Sequence, residues 1–130
     1  MSARILLVDD EPDAQELFRQ NFRREIRKGV YDFDYAQSAC EALEQLKSAN
    51  SRKPVMVLSD INMPGMTGVE LLDVLKRQWP EIPVFMITAY GDHVTERKVR
   101  EKGAERLFAK PVDFTALKHE LLTHSTGGNK

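Results

Sequence analysis

Cysteine is nearly absent: Cys40 is the only one in 130 residues, so no internal disulfide staples this fold. Charge of one sign is also missing, since 19 basic and 20 acidic residues leave a formal charge of −1. Without a positive field over the molecule, binding to a phosphate backbone has no electrostatic drive, and direct nucleic-acid partners are not expected. Long apolar runs are lacking as well. The opening Met-Ser-Ala-Arg leads into a four-residue run, far short of a signal or membrane segment. The 7 glycines never take the spacing of a phosphate-cradling loop, which argues against a kinase acting on ATP. A reducing, cytoplasmic setting without a membrane partner is the expectation.

The composition is that of one folded domain, with 42% hydrophobic and 30% charged residues. Short apolar runs alternate with stretches of helical period, the pattern of a βαβ array. Strands are expected at Ile5 to Val8, Phe33 to Ala36, Val55 to Ser59, Val84 to Thr88 and Leu107 to Ala109. Their Val, Ile, Leu and Phe content suits strands buried on both faces. Ala14, Leu17, Phe18, Phe22 and Ile26 form one stripe of a first helix opened near Pro12, and Arg27 to Asp34 reads as its extended end. Ser38 with Glu41 and Thr67 with Glu70 give capping-box patterns for a second and a third helix, the third ending near Trp79-Pro80.

The fourth helix, about Asp92 to Lys102, offers only Val94 and Val99 as large aliphatics, so its docking is expected to be the weakest in the fold. Asp113 caps the fifth, whose stripe is Phe114, Leu117, Leu121 and Leu122. Residues 1–124 are expected to form the domain, and 125–130 a flexible tail or the start of a linker. Right-handed crossovers then give a single doubly wound, five-stranded parallel sheet with helices on both faces, an α/β fold of the flavodoxin-like kind. Ligands in such sheets bind at the carboxyl ends of the strands.

Those ends are polar. Asp9-Asp10-Glu11 follows the first strand, Ser59-Asp60-Ile61-Asn62 closes the third, Thr88-Ala89 the fourth and Lys110-Pro111 the fifth. One strand-end Asp is often only a helix cap; four polar ends together are harder to dismiss. Crowded Asp9, Asp10 and Asp60 repel one another and call for a cation. A hard divalent ion such as Mg²⁺ suits them better than zinc, because no Cys or His joins the cluster. Lys110 adds a compact ammonium and Thr88 a hydroxyl, so the set suits a phosphoryl group and a carboxylate that attacks in line.

These blocks, with Met63-Pro64-Gly65-Met66 after Asn62, resemble the receiver domains of two-component response regulators over nearly the whole chain. The resemblance implies that Asp60 accepts the phosphoryl group. It makes Asp10 and the Asn62 backbone carbonyl direct Mg²⁺ ligands, counts Asp60 in the same metal set and has Asp9 acting through water. Thr88 takes the switch role, Lys110 pairs with the phosphoryl group, and the Lys110-Pro111 bond is expected to be cis. The donor it implies is a phosphohistidine on a sensor histidine kinase or a histidine phosphotransfer protein. Phosphorylation then shifts the surface of the fourth helix, fifth strand and fifth helix, where a target, an output domain or a second copy would bind.

The match has departures. The family usually carries Tyr or Phe three residues before the strand-five Lys, where this chain has Leu107; Phe108 is one place along and faces the other way. Tyr90 and Asn62 occupy places that tune attack of water on the acyl phosphate in the family. Arg19, Arg23 and Arg27, flanked by Arg24 and Lys28, make a basic face that is either simply solvated or a contact for an acidic phosphodonor. His93, His119 and His124 have no metal-ligand companions, and Trp79 and the methionines read as packing. Two rivals stand beside the resemblance. One is a pseudo-receiver that binds without phosphorylation. The other is a Mg²⁺-dependent aspartate-nucleophile phosphohydrolase, which needs an acidic residue where Asn62 stands.

Overall fold

The computed structural model describes residues 3–48, 54–63, 65–88 and 93–127. Strands β1 (Ala3–Val8), β2 (Tyr31–Ala36), β3 (Met56–Asp60), β4 (Val84–Thr88) and β5 (Arg106–Ala109) form one sheet in the order β2-β1-β3-β4-β5. Every pairing is parallel. Strand order reverses between β1 and β3, so the ends of these two strands flank the switch point.

Alternation along each strand sorts side chains into two cores. The helices are α1 (Pro12–Asn21), α2 (Arg23–Arg27), α3 (Ala39–Ser48), α4 (Gly68–Gln78), α5 (His93–Glu101) and α6 (Phe114–Gly127). Ile5, Leu7, Met56, Leu58, Phe85, Ile87 and Phe108 pack on one face, under Phe18 of α1, its C-cap Phe22, and Leu117 and Leu121 of α6. Leu6, Val8, Val57, Val84 and Met86 pack on the other, beneath α3, α4 and Val99 of α5. The doubly wound sheet expected from the sequence is the fold observed. Trp79 and Met63 are buried, as packing residues.

The capping box at Thr67 is complete, and the one at Ser38 is half-formed. Thr67 Oγ1 accepts the Glu70 N–H at 3.2 Å while Glu70 Oε1 accepts the Thr67 N–H at 2.8 Å. Ser38 Oγ accepts the Glu41 N–H at 3.0 Å, but Glu41 reaches back to the Gln37 N–H instead. Asp113 Oδ1 accepts from Thr115 and Ala116, capping α6.

The first helix departs from expectation. It breaks at Phe22 (φ −106°, ψ 15°), and α2 resumes at Arg23. Phe22 is fully buried among the rings of Phe18, Tyr31, Phe33 and Phe114, with centroids 5.0–6.0 Å away, and the turn keeps that ring inside. Helix does not continue to Asp34 either. Gly29 takes φ 76°, its N–H donates to Ile26 O and the Val30 N–H donates to Glu25 O, a Schellman cap that turns the chain into β2. Leu17, expected in the stripe, is 46% exposed.

Two other ends shift. Asp60, expected just past a strand, is the last residue of β3, and Val55 is exposed. Helix α6 runs to Gly127, past the Ser125 where the tail was expected, because Ser and Thr carry only a small helix penalty. Residues 128–130, with Ala89, Tyr90 and Asp92, lie outside the described residues.

Of the two aliphatics expected to dock α5, Val99 is fully buried and Val94 is 76% exposed. A second tether lies just beyond the helix, where Lys102 Nζ sits 3.0 Å from both carboxylate oxygens of Asp73 on α4.

Gly68 opens α4 against the end of β3. Its N–H donates to Ile61 O at 2.8 Å, and a Cβ there would stand 2.2 Å from Asp60 O and 2.7 Å from Ile61 Cα. Neither obstacle is a flexible side chain. Gly68→Ala is therefore expected to destabilise by about 3 kcal/mol, the upper part of the overpacking range. Gly65→Ala, with open space around its Cβ and φ 76°, is expected to lose only about 1 kcal/mol. Urea unfolding of both variants measures the difference.

Candidate functional site

The carboxyl edge of the sheet collects the polar strand ends. Asp9 follows β1, Asp60 closes β3, Thr88 closes β4 and Lys110 follows β5. Asp9, Asp60 and Thr88 are buried, Asp10 is half-buried and Asn62 is exposed. Backbone bonds hold them in place: the Asp9 N–H donates to Ala36 O, the Ile61 N–H to Ile87 O and the Lys110 N–H to Thr88 O at 2.7 Å. The Lys110-Pro111 bond is cis, as expected.

Lys110 is the cation of the cluster. Its Nζ lies 3.1 Å from Asp60 Oδ2 and 3.6 Å from both Asp9 Oδ2 and Glu11 Oε1. The other oxygens are held by main-chain donors, Asp60 Oδ1 by the Asn62 N–H at 3.2 Å and Asp9 Oδ1 by the Glu11 N–H at 2.9 Å. Burial lowers the Lys110 pKa, but the Asp60 hydrogen bond and the Asp9, Asp60 and Glu11 charges outweigh it, leaving Lys110 above the ordinary lysine value. Lys110 is therefore a fixed positive charge at neutral pH.

Asp9 is less well served. Burial raises its pKa, the Glu11 N–H opposes this, and the Asp60 charge raises it further against Lys110. The net shift is upward, so the ionised form is disfavoured. Asp9, Asp10 and Asp60 each offer a carboxylate oxygen, and these three atoms lie within 4.8 Å of one another. An all-oxygen donor set short of positive charge fits a hard divalent cation and not zinc. Asn62 adjoins the three through its N–H on Asp60.

Beside the cluster, a groove of about 170 Å³ is lined in part by Ala14, Leu17, Phe18, Lys110, Pro111 and Val112. Its apolar wall abuts Lys110 directly.

A family model, the response regulator receiver domain, matches residues 5–122. The chain belongs to this family. It is a receiver domain of two-component response regulators, a signalling domain. It is 33% identical over 118 residues to the sporulation initiation phosphotransferase F of Bacillus subtilis, covering 91% of this chain and 90% of that one. It is also 33% identical over 128 residues to the response regulator protein FleR of Pseudomonas aeruginosa, covering 98% of this chain but 25% of that protein. This receiver thus spans about a quarter of FleR's length. The receiver domain of NtrX from Brucella abortus superposes with a TM-score of 0.79 at 32% identity, covering 92% of this chain and 96% of that one. A receiver domain protein from Clostridium thermocellum gives 0.85 at 23% identity over 98% and 97%, a likeness of fold.

Gly68 and Glu11 were not singled out from the sequence as site residues. Gly in the first turn of a helix whose propensity it lowers was the available signal for the first. Glu11 had none beyond its place beside Asp10. Among the histidines, His119 is exposed, and the side chains of His93 and His124 lie outside the described residues.

The Asp9 shift gives a signed test. A raised folded pKa means that ionised Asp9 costs stability, and the cost grows as pH rises from the ordinary aspartate value of 3.8 through the folded value. Asp9→Asn keeps an oxygen for the Glu11 N–H, so without added metal it is expected to be more stable than wild type at pH 7, by the order of 1 kcal/mol typical of relieved charge repulsion. The gain is expected to vanish below pH 3 and to shrink when millimolar Mg²⁺ is added. Urea midpoints across pH check all three statements.

Proposed function

We propose that this receiver domain accepts a phosphoryl group on Asp60 from a phosphohistidine donor, in a Mg²⁺-dependent reaction. The observation that carries this reading is the Lys110 Nζ 3.1 Å from Asp60 Oδ2, beside three carboxylate oxygens within 4.8 Å of one another. Asp60 forms a bond to phosphorus as the donor's phosphorus–nitrogen bond breaks, and the electron pair leaves with the imidazole. The product is an aspartyl phosphate and a free histidine. Lys110 neutralises charge on the transferred group, and the Thr88 hydroxyl donates to one of its oxygens. Asp9, Asp10 and Asp60, with the Asn62 carbonyl, would hold Mg²⁺, which supplies charge neutralisation at the phosphoryl oxygens when bound.

Self-phosphorylation and self-dephosphorylation are then its only chemistry. The donor is a protein, a sensor histidine kinase or a histidine phosphotransfer protein, and the apolar groove beside Lys110 gives it a place to seat a side chain. Bacillus subtilis sporulation initiation phosphotransferase F, similar over nine tenths of its length, supports phosphoryl transfer by name. No described helix is long and apolar enough to cross a membrane, in keeping with a cytoplasmic site of action. The output surface is α5, β5 and α6, open to a target, an output domain or a second copy. We read residues 1–124 as the receiver unit and 125–130 as leading out of it. The family match and Asn62 leave the phosphohydrolase rival without support; the pseudo-receiver remains the alternative that the acceptor assay decides.

Incubation with acetyl phosphate and Mg²⁺, followed by intact mass, is expected to add one phosphoryl group to wild type. None is expected on Asp60→Asn or with EDTA. No gain in wild type despite measurable Mg²⁺ binding would favour the pseudo-receiver.

Leu107 packs with the α3–α4–α5 core and Phe108 with the opposite one, so no aromatic ring on β5 faces the α5 side. With a phosphoryl mimic bound, methyl NMR is expected to show Thr88 and Val99 shifting by more than Leu107. A Leu107 reorientation as large as that of Thr88 would contradict this.

A further inference from the structure

Four cations converge where the break at Phe22 turns α2 toward α6. A cleft of about 560 Å³ is lined by Arg23, Arg24 and Arg27 of α2, Lys118 of α6, and Glu25 between them, with Gln20 and Asn21 at the end of α1. Four cations against one carboxylate leave three positive charges, in a chain whose formal charge is −1. Arg4, Arg19, Arg100 and Arg106 each pair with a carboxylate. Arg23, Arg24 and Arg27, like Arg77 and Arg97, make no ion pair among the described residues, but these three line one cleft together with Lys118.

Glu25 is already occupied. Its Oε2 is 3.1 Å from Lys118 Nζ, which also lies 5.1 Å above the Phe22 ring, so Lys118 is held in place at the side of the cleft. Guanidinium groups crowded without a counter-charge repel, and a bound anion removes that cost. Guanidinium forks match phosphate oxygens bidentately, and a cleft of this volume holds a small molecule. No aromatic ring lines it, so nothing there would stack on a nucleobase. All four cations line the one cleft, which suits a compact anion better than an extended acidic chain.

We propose that the cleft formed by Arg23, Arg24, Arg27 and Lys118 binds an oligophosphate, a ligand carrying two or more linked phosphates, at a site separate from Asp60. The ten residues of α1 span about 15 Å, with the strand-end cluster at its start and the cleft at its end. Occupancy would bridge α2 to α6. The site does not depend on whether Asp60 accepts a phosphoryl group.

Tripolyphosphate titrated into the full chain without Mg²⁺, followed by amide NMR and calorimetry, tests it. Shifts are expected at residues 20–27 and 118, with affinity falling at least tenfold in Arg23→Gln/Arg27→Gln and unchanged in Arg97→Gln, which removes an exposed charge from α5. Equal binding by wild type and the double variant, or equal loss in Arg97→Gln, would overturn the proposal. So would tighter binding of hexaglutamate than of tripolyphosphate, which would assign the cleft to acidic peptide. Matching urea midpoints for the variants and wild type establish that any loss is not unfolding.

Discussion

Carboxylates that repel one another are held together by the backbone of a sheet that does not give way. Asp9 follows β1 and Asp60 closes β3, adjacent parallel strands buried on both faces, and the ladder between them, registered up to Val8 and Ser59, fixes where the two carboxylates start whatever their charge. The side chains cannot relax by moving into water. The electrostatic conflict is therefore relieved by what joins them: Lys110 on one side and main-chain N–H groups on another, around three carboxylate oxygens that lie within 4.8 Å of one another. The surrounding scaffold serves that constraint. Gly68 lets α4 approach the chain directly behind Asp60, and the Thr67 capping box fixes where that helix begins.

Individual helices over the two faces are anchored unequally. On one, Phe18, Phe22, Leu117 and Leu121 interlock with a ring-rich core. On the other, α5 contributes a single fully buried valine and, just past its end, an ion pair between Lys102 and Asp73. Full burial of one valine stabilises by about 1.5 kcal/mol or a little more, and a half-exposed ion pair adds less than about 1 kcal/mol. By that measure α5 is lightly held. Leu107 packs against the same core, so β5 meets it through an aliphatic side chain rather than a ring.

Much of this was legible in the sequence. Short apolar runs located all five strands, and the residues at their ends named the cluster at the carboxyl edge. Capping patterns at Ser38, Thr67 and Asp113 located three helix starts because each is a local bond between a side chain and a nearby N–H. What escaped was decided by tertiary packing. The break at Phe22 has no local signature, since the same residues continue a helical stripe; a ring-lined pocket formed by distant Tyr31, Phe33 and Phe114 bends the chain there. Gly29 did carry a stop signal, and reading it as such would have ended the helix in the right place. The Gly68 contact joins a helix start to the strand before it, a proximity that spacing alone does not reveal.

The outermost strands have a consequence of their own. At one margin β5 is four residues long and opens with exposed Arg106; at the other, Asp32 and Asp34 of β2 are tied to Arg4 of the neighbouring strand, at 3.5 and 2.6 Å. Neither margin offers a long, flat, uncharged ladder to a passing chain. Self-recognition by strand addition is thereby discouraged at both margins of the sheet.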